Sequence, residues 1–170
     1  MTHEEYRLEE NVKGWNILFS ILFVGLVTFG FFNLRNNYLL PNELPLLDFF
    51  ILILATFRLV RLFTYDHITS FIREALLDVK RVRYAESGEE QIERVLSQNS
   101  LKRTLDRLIS CPWCVGVWMA LLTVSAYLIF PETWIILLVL AVAGMGSVLQ
   151  ILANMFGWMA ERAKQAVQNK

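Results

Sequence analysis

Ser110-Cys111-Pro112-Trp113-Cys114 is the stretch of this chain best equipped for chemistry. Proline is favoured in the first turn of a helix, and a helix N-terminus lowers the pKa of a thiol beside it. Cys111 and Cys114 stand three residues apart, so both thiols fall on one helical face. That spacing suits a dithiol redox pair, with Cys111 as the attacking thiolate and Cys114 as the resolving thiol. It equally suits half of a zinc site. Zinc takes four ligands, and only His3 and His67 supply imidazoles, with Asp66 beside His67. The plain alternative is packing by two small, polarizable side chains where a helix begins. No cofactor is expected from the sequence, zinc excepted.

Arg58 and Arg61 form the second constellation. They lie at i and i+3, share a helical face, and sit at the end of an apolar run. An arginine inside a bilayer needs acceptors. Gln150 and Asn154, in the cytoplasmic half of the fourth span, fall at a matching depth and complete an intramembrane polar cluster. They belong to a stripe of small and polar residues suited to helix packing: Ala143, Gly146, Ser147, Gln150, Ala153, Asn154 and Gly157. Gly116 joins them as a packing position. The arginines read as a hydrogen-bonded clamp that also meets lipid phosphates, or as a headgroup, ion or substrate site. The chain carries no Gly-rich phosphate loop, nucleophile elbow or HExxH, and nothing fixes the geometry of Glu43 and Asp48. No catalytic residue is assigned, and the balance leans away from an enzyme.

The elements that must hold these residues are four apolar runs, 15–32, 44–57, 113–130 and 134–149. A span needs roughly 20 apolar residues. The second run reaches that length only by taking in Arg58 and Arg61. Fully 55% of the chain is hydrophobic, high for one soluble domain. Threaded through a bilayer, the runs leave thirteen Lys and Arg on one side and only Arg35 on the other. The positive-inside rule then places both termini and the middle segment in the cytoplasm. The leader of the first run is acid-rich and no small-residue site follows it, so a cleaved signal is not expected.

The expectation is an all-α protein with four transmembrane helices and amphipathic cytoplasmic helices between spans 2 and 3. Its parts are a cytoplasmic tail (1–14), helices 1 and 2 (15–64), a cytoplasmic helical segment (65–110), helices 3 and 4 (111–160) and a second tail (161–170). The tail 1–14 is expected to be ordered only in part. In the middle segment Phe71, Ile72, Ala75, Leu76, Val79 and Val82 make one helical stripe, with Asp66 or Thr69 to cap it. Ser87-Gly88-Glu89-Glu90 has the form of a capping box for a second helix, and Leu101, Leu105, Leu108 and Ile109 mark a third. These helices lie on the membrane or form a platform for a partner. Pro131-Glu132-Thr133 is so short that helices 3 and 4 must be antiparallel neighbours. Formal charge is zero, so nucleic acid is not an expected partner. The expected partners are the bilayer, a second copy, or another membrane protein. An oligomeric transporter or channel is a remoter reading.

Two segments together carry a resemblance: LATFRLVRLFTYDHIT at 54–69 and SCPWCVGVW at 110–118. The chain resembles, over residues 48–157, a family of small uncharacterised bacterial membrane proteins that includes sporulation proteins of Bacillus. The matching positions are Arg58, Arg61, Asp66, Cys111, Pro112, Trp113, Cys114 and Gly116. The resemblance implies a multi-pass protein of the bacterial cell membrane with a role in sporulation. It transfers no catalytic residue, and it says nothing about the first span.

Overall fold

The computed structural model describes residues 3–37, 41, 43–76, 79–83, 90–94, 97 and 99–168. Six α-helices account for most of them: α1 (His3–Asn36), α2 (Leu46–Thr64), α3 (Ser70–Leu76), α4 (Ser100–Ser110), α5 (Pro112–Ile129) and α6 (Thr133–Gln168). A 3-10 turn (His67–Thr69) joins α2 to α3, and two strands, β1 (Val79–Arg83) and β2 (Glu90–Arg94), follow. Three helices are long and apolar enough to cross a membrane: Tyr6–Asn36, Pro112–Ile129 and Thr133–Ala166. The remaining long helix, α2, is 19 residues and holds Asp48, Arg58 and Arg61.

That charged helix is the centre of the bundle. It packs against both α5 and α6, while α5 and α6 touch each other only slightly. The three-residue hairpin does join antiparallel helices, but α2 lies between them for most of their length. Ile51, Leu52 and Ala55 of α2 meet Leu137 and Ala141 of α6 in the core. The crossing is closest at Gly144, where a Cβ would meet the Leu54 carbonyl oxygen inside van der Waals contact. Any side chain at 144 would force the two backbones apart. The face of α6 turned to α2 therefore runs Leu137, Ala141, Gly144 and Ser147.

Several expectations change. The tail 1–14 is helical from His3 onward, because it has a surface to pack on. Val12 is buried, the Trp15 Nε1 donates to Ser100 Oγ at 3.3 Å, and Glu9 meets Arg107 of α4 at 2.9 Å. The tail 161–170 continues α6 to Gln168. Among the described residues of the middle segment, helix is found only toward its two ends. Val79 and Val82, expected on a helical stripe, belong to β1, which pairs antiparallel with β2. A helix would stack Lys80 and Arg83 at i and i+3, like charge on like. The ribbon instead sets Lys80 opposite Glu93 and Arg83 opposite Glu90 in register. Glu90 thus begins a strand rather than closing a capping box, and residues 87–89 lie outside the described residues. The third expected helix is present as α4, capped by Asn99, whose Oδ1 accepts from the Leu101 N–H at 3.0 Å.

Candidate functional site

Three polar side chains of α2, Asp48, Thr56 and Arg58, at three levels, each find a partner on another helix, whereas the Thr64 hydroxyl is buried without one among the described residues. At the hairpin end Asp48 accepts from the Tyr127 hydroxyl at 2.5 Å and from Trp134 Nε1 at 3.2 Å. Eight residues on, about 12 Å along the helix, the Thr56 and Thr123 hydroxyls are 2.8 Å apart. Thr123 is buried, and its hydroxyl also lies 3.0 Å from the Met119 carbonyl. At the third level Arg58 reaches Asp66 Oδ2 at 2.8 Å with one guanidinium nitrogen and Ser147 Oγ of α6 at 3.3 Å with the other.

Around Arg58 the chain ties itself into a knot. A helix C-terminus leaves carbonyls without partners, and here they are taken up by side chains from the next turns. Arg73 of α3 donates to the Phe63 carbonyl at 3.0 Å and to the Asp66 carbonyl at 2.9 Å. The Thr69 hydroxyl donates to the Leu62 carbonyl and is itself met by Arg73 at 3.1 Å. Neither expected cap forms: the Asp66 carboxylate is committed to Arg58, and Thr69 reaches backward rather than forward. Arg61 lies over the Tyr65 ring at 5.5 Å, and its Nε is buried without a hydrogen-bond partner.

Sequence reasoning placed Arg58 against the fourth span. The structure does so through Ser147 and not through Gln150 or Asn154, which bond each other at 3.1 Å on an exposed face. Ala143, Gly146, Ala153 and Gly157 are exposed too, and a Cβ at Gly146 or Gly157 would meet nothing. That stripe faces away from α2. Gly116 does pack, with Val60 of α2 at 3.9 Å from its Cβ position. Asp48 was set aside as one member of an unfixed acid pair. The signal for its role was Tyr127 and Trp134 flanking the hairpin at its own depth. The Thr56–Thr123 pair carried a similar signal, hydroxyls at matching depth in two apolar runs.

Cys111 is the N-cap of α5, and its sulfur accepts from the Cys114 N–H at 3.4 Å. Both cysteines are free thiols. The Cys111 thiol is held below its ordinary pKa, first by the Cys114 thiol and then by the backbone N–H groups of Cys114 and Trp113. His67 is exposed, and Asp66 is occupied by Arg58. Among the described residues no three His, Cys, Asp or Glu gather where a metal ion would fit.

The knot sets an order on the two arginines. Arg58→Leu strands the Asp66 carboxylate, and charged hydrogen bonds of this kind are worth about 1.5–3 kcal/mol. Arg61→Leu removes a contact with one ring, worth about 0.5–1 kcal/mol. Thermal melting in detergent should show the larger loss for Arg58→Leu, largely relieved by adding Asp66→Asn. Equal melting of Arg58→Leu and the parent would remove Arg58 from its place in the fold.

Residues 51–153 match the family described as "Protein of unknown function (DUF1360)". That stretch contains the core of α2, the knot, the Cys111 cap and Ser147, and leaves out α1. The UPF0713 protein YngL of Bacillus subtilis (strain 168) is 34% identical over 110 residues, covering 64% of this chain and 80% of that protein. The sporulation protein YjcA of the same organism is 32% identical over 113 residues, covering 65% of this chain and 92% of that protein. No solved structure matches the chain. With the family pattern running through the helix core and the knot, the chain belongs to the DUF1360 family.

Proposed function

We propose that this protein is a four-span membrane component without catalytic activity, working by assembly with itself or another membrane protein in the sporulating cell. The observation that carries the reading is the treatment of α2. At 19 residues and 1.5 Å per residue it is about 28 Å long, close to the roughly 30 Å hydrocarbon thickness. Its Asp48, Thr56 and Arg58 each have a partner on α5 or α6, which is what a polar span requires. The outer faces of α1, α5 and α6 present large exposed side chains such as Ile21, Leu122 and Ile135, as a lipid-facing surface would. Thirteen basic residues on one side support cytoplasmic termini and a cytoplasmic ribbon. Arg58, Asp66 and Arg73 are spent on holding the chain, and this favours a structural role over a reaction. The name of the sporulation protein YjcA supports the setting.

Topology has a direct test. In intact cells Asn37→Cys should react with an impermeant maleimide, and native Cys111 should not; the reverse pattern would invert the protein. Deleting the gene from an endospore-forming host should lower the yield of heat-resistant spores or slow germination, with vegetative growth unchanged. Normal resistance and germination would end the sporulation assignment.

The depressed thiol of Cys111 favours a second reading, a dithiol redox couple with Cys114. A lowered pKa enlarges the thiolate fraction at neutral pH, so alkylation of Cys111 should reach half its limiting rate below the free-thiol value of about 8.5. A midpoint at or above that value leaves the cysteine as a helix cap and nothing more.

A further inference from the structure

A cleft of about 490 Å³ opens between α1, α4 and α5, within the size range of small-molecule sites. Buried residues of α1 lie near its two ends, at Val12 and Leu34. Between them α1 and α5 meet where the Phe23 and Trp118 rings stand edge to face, centroids 5.2 Å apart. These rings are the floor. The walls are Ser20 of α1 and Cys114 of α5, and the mouth carries Asn16 and Arg107. Asn16 and Arg107 give the cleft its hydrogen-bonding groups, and Phe19, Phe23, Leu108, Val117 and Trp118 make most of the rest of the lining apolar.

Asn16 and Arg107 have hydrogen-bonding capacity to spare. The Asn16 side-chain amide bonds nothing among the described residues, while the Ser20 hydroxyl is satisfied by donating to the Asn16 carbonyl at 2.9 Å. Arg107 gives one nitrogen to Glu9 and remains nearly half exposed. Unspent donors at the mouth and aromatic rings below match one kind of molecule. Its upper part offers anionic and ester oxygens, and its lower part is hydrocarbon.

We infer that this cleft binds one phospholipid, its phosphate and ester oxygens at Asn16 and Arg107 and an acyl chain against Phe23 and Trp118. A second protein helix fits poorly. One turn of a helix about 10 Å wide fills on the order of 420 Å³, so the cleft would seat a single turn. The site exists because α1 is present, and α1 lies outside the stretch matched to the family. The inference rests on the membrane reading of α1 and α5, which maleimide labelling at Asn37 tests separately.

Cys114 in the wall reports occupancy. Cys111→Ser leaves it as the sole cysteine and preserves the cap, because serine is a good N-cap residue. In detergent micelles, phosphatidylglycerol at ten times its dissociation constant should slow Cys114 alkylation about tenfold, and native mass spectrometry should show one retained lipid. Ser20→Trp, which fills the cleft, should lose both the adduct and the protection. Asn16→Ala should weaken protection without touching the apolar floor, and it carries the test alone if Ser20→Trp does not fold. An alkylation rate indifferent to lipid, or full protection retained in the folded variants, overturns the site. Protection that follows protein concentration instead of lipid identifies a second copy of the chain as the occupant and overturns it equally.

Discussion

The constraint that organises this molecule is the need to give Asp48, Thr56 and Arg58 of α2 partners on other helices. A helix with an aspartate, a threonine and an arginine on its inner surface is a poor span by composition. It becomes acceptable only when other helices meet those groups. Asp48 is met by α5 and α6 near the start of the helix, and Thr56 and Arg58 are met by α5 and α6 in its middle part. Hydrogen bonds between helices in apolar surroundings are individually modest, about 0.6 kcal/mol on average. Their larger effect is on register. Sliding α2 by one turn past α5 would separate Thr56 from Thr123 and Asp48 from Tyr127 together, leaving several groups unpaired at once. Unpaired groups are more expensive than paired ones are favourable.

Close packing follows from that register. With α2 held at Asp48 and at Thr56 and Arg58, the stretch around Leu54 must approach α6 at one height, and Gly144 provides the space there. The same reasoning explains the knot after α2. Arg58 needs a carboxylate nearby, so the chain turns at Tyr65 as α2 ends and brings Asp66 to it before the 3-10 segment begins. The turn exposes carbonyls that Arg73 and Thr69 then satisfy. Arg73 starts from α3, so the position of α3 is tied to the internal charge of α2. α1 stands apart from this chain of dependence and touches the rest chiefly through α4 and α5.

Much of this was legible in the residues. Apolar runs marked the long helices, the short hairpin marked α5 and α6 as antiparallel, and the depth of Arg58 pointed to a partner on the last helix. What escaped was rotation and order. A stripe of small residues tells which face of a helix can pack, but Gly144 and Gly146 differ by 200° around the axis at 100° per residue, and composition does not choose between them. Hairpin length sets which helix ends are adjacent, and it does not reveal a third helix lodged between them. Asp66 was read as a ligand or a cap because it stands beside His67, yet a partly buried guanidinium nearby is a stronger claim on a carboxylate than a helix end. Val79 and Val82 stand at helical spacing and nothing in 79–83 or 90–94 alternates, so the pairing of the two strands was not legible in the residues.

The two segments that first suggested a family gain a shared physical meaning in this arrangement. One, 54–69, runs from Ala55 of the core through Arg58, Asp66 and Thr69, leaving Arg73 of the knot outside. The other, 110–118, is the junction where α4 turns into α5 under the cap of Cys111. They are far apart in sequence and lie at the same end of the bundle. Each solves the same problem, the unpaired backbone groups that a long helix leaves at its terminus. In the first the groups are carbonyls, met by arginine and threonine; in the second they are N–H groups, met by a sulfur. The Cys111 thiol is held below its ordinary pKa first by the Cys114 thiol and then by the N–H groups it receives as a cap. Depression of the thiol is therefore a consequence of the cap as much as a preparation for chemistry, and the geometry of the junction is explained before any reaction is invoked.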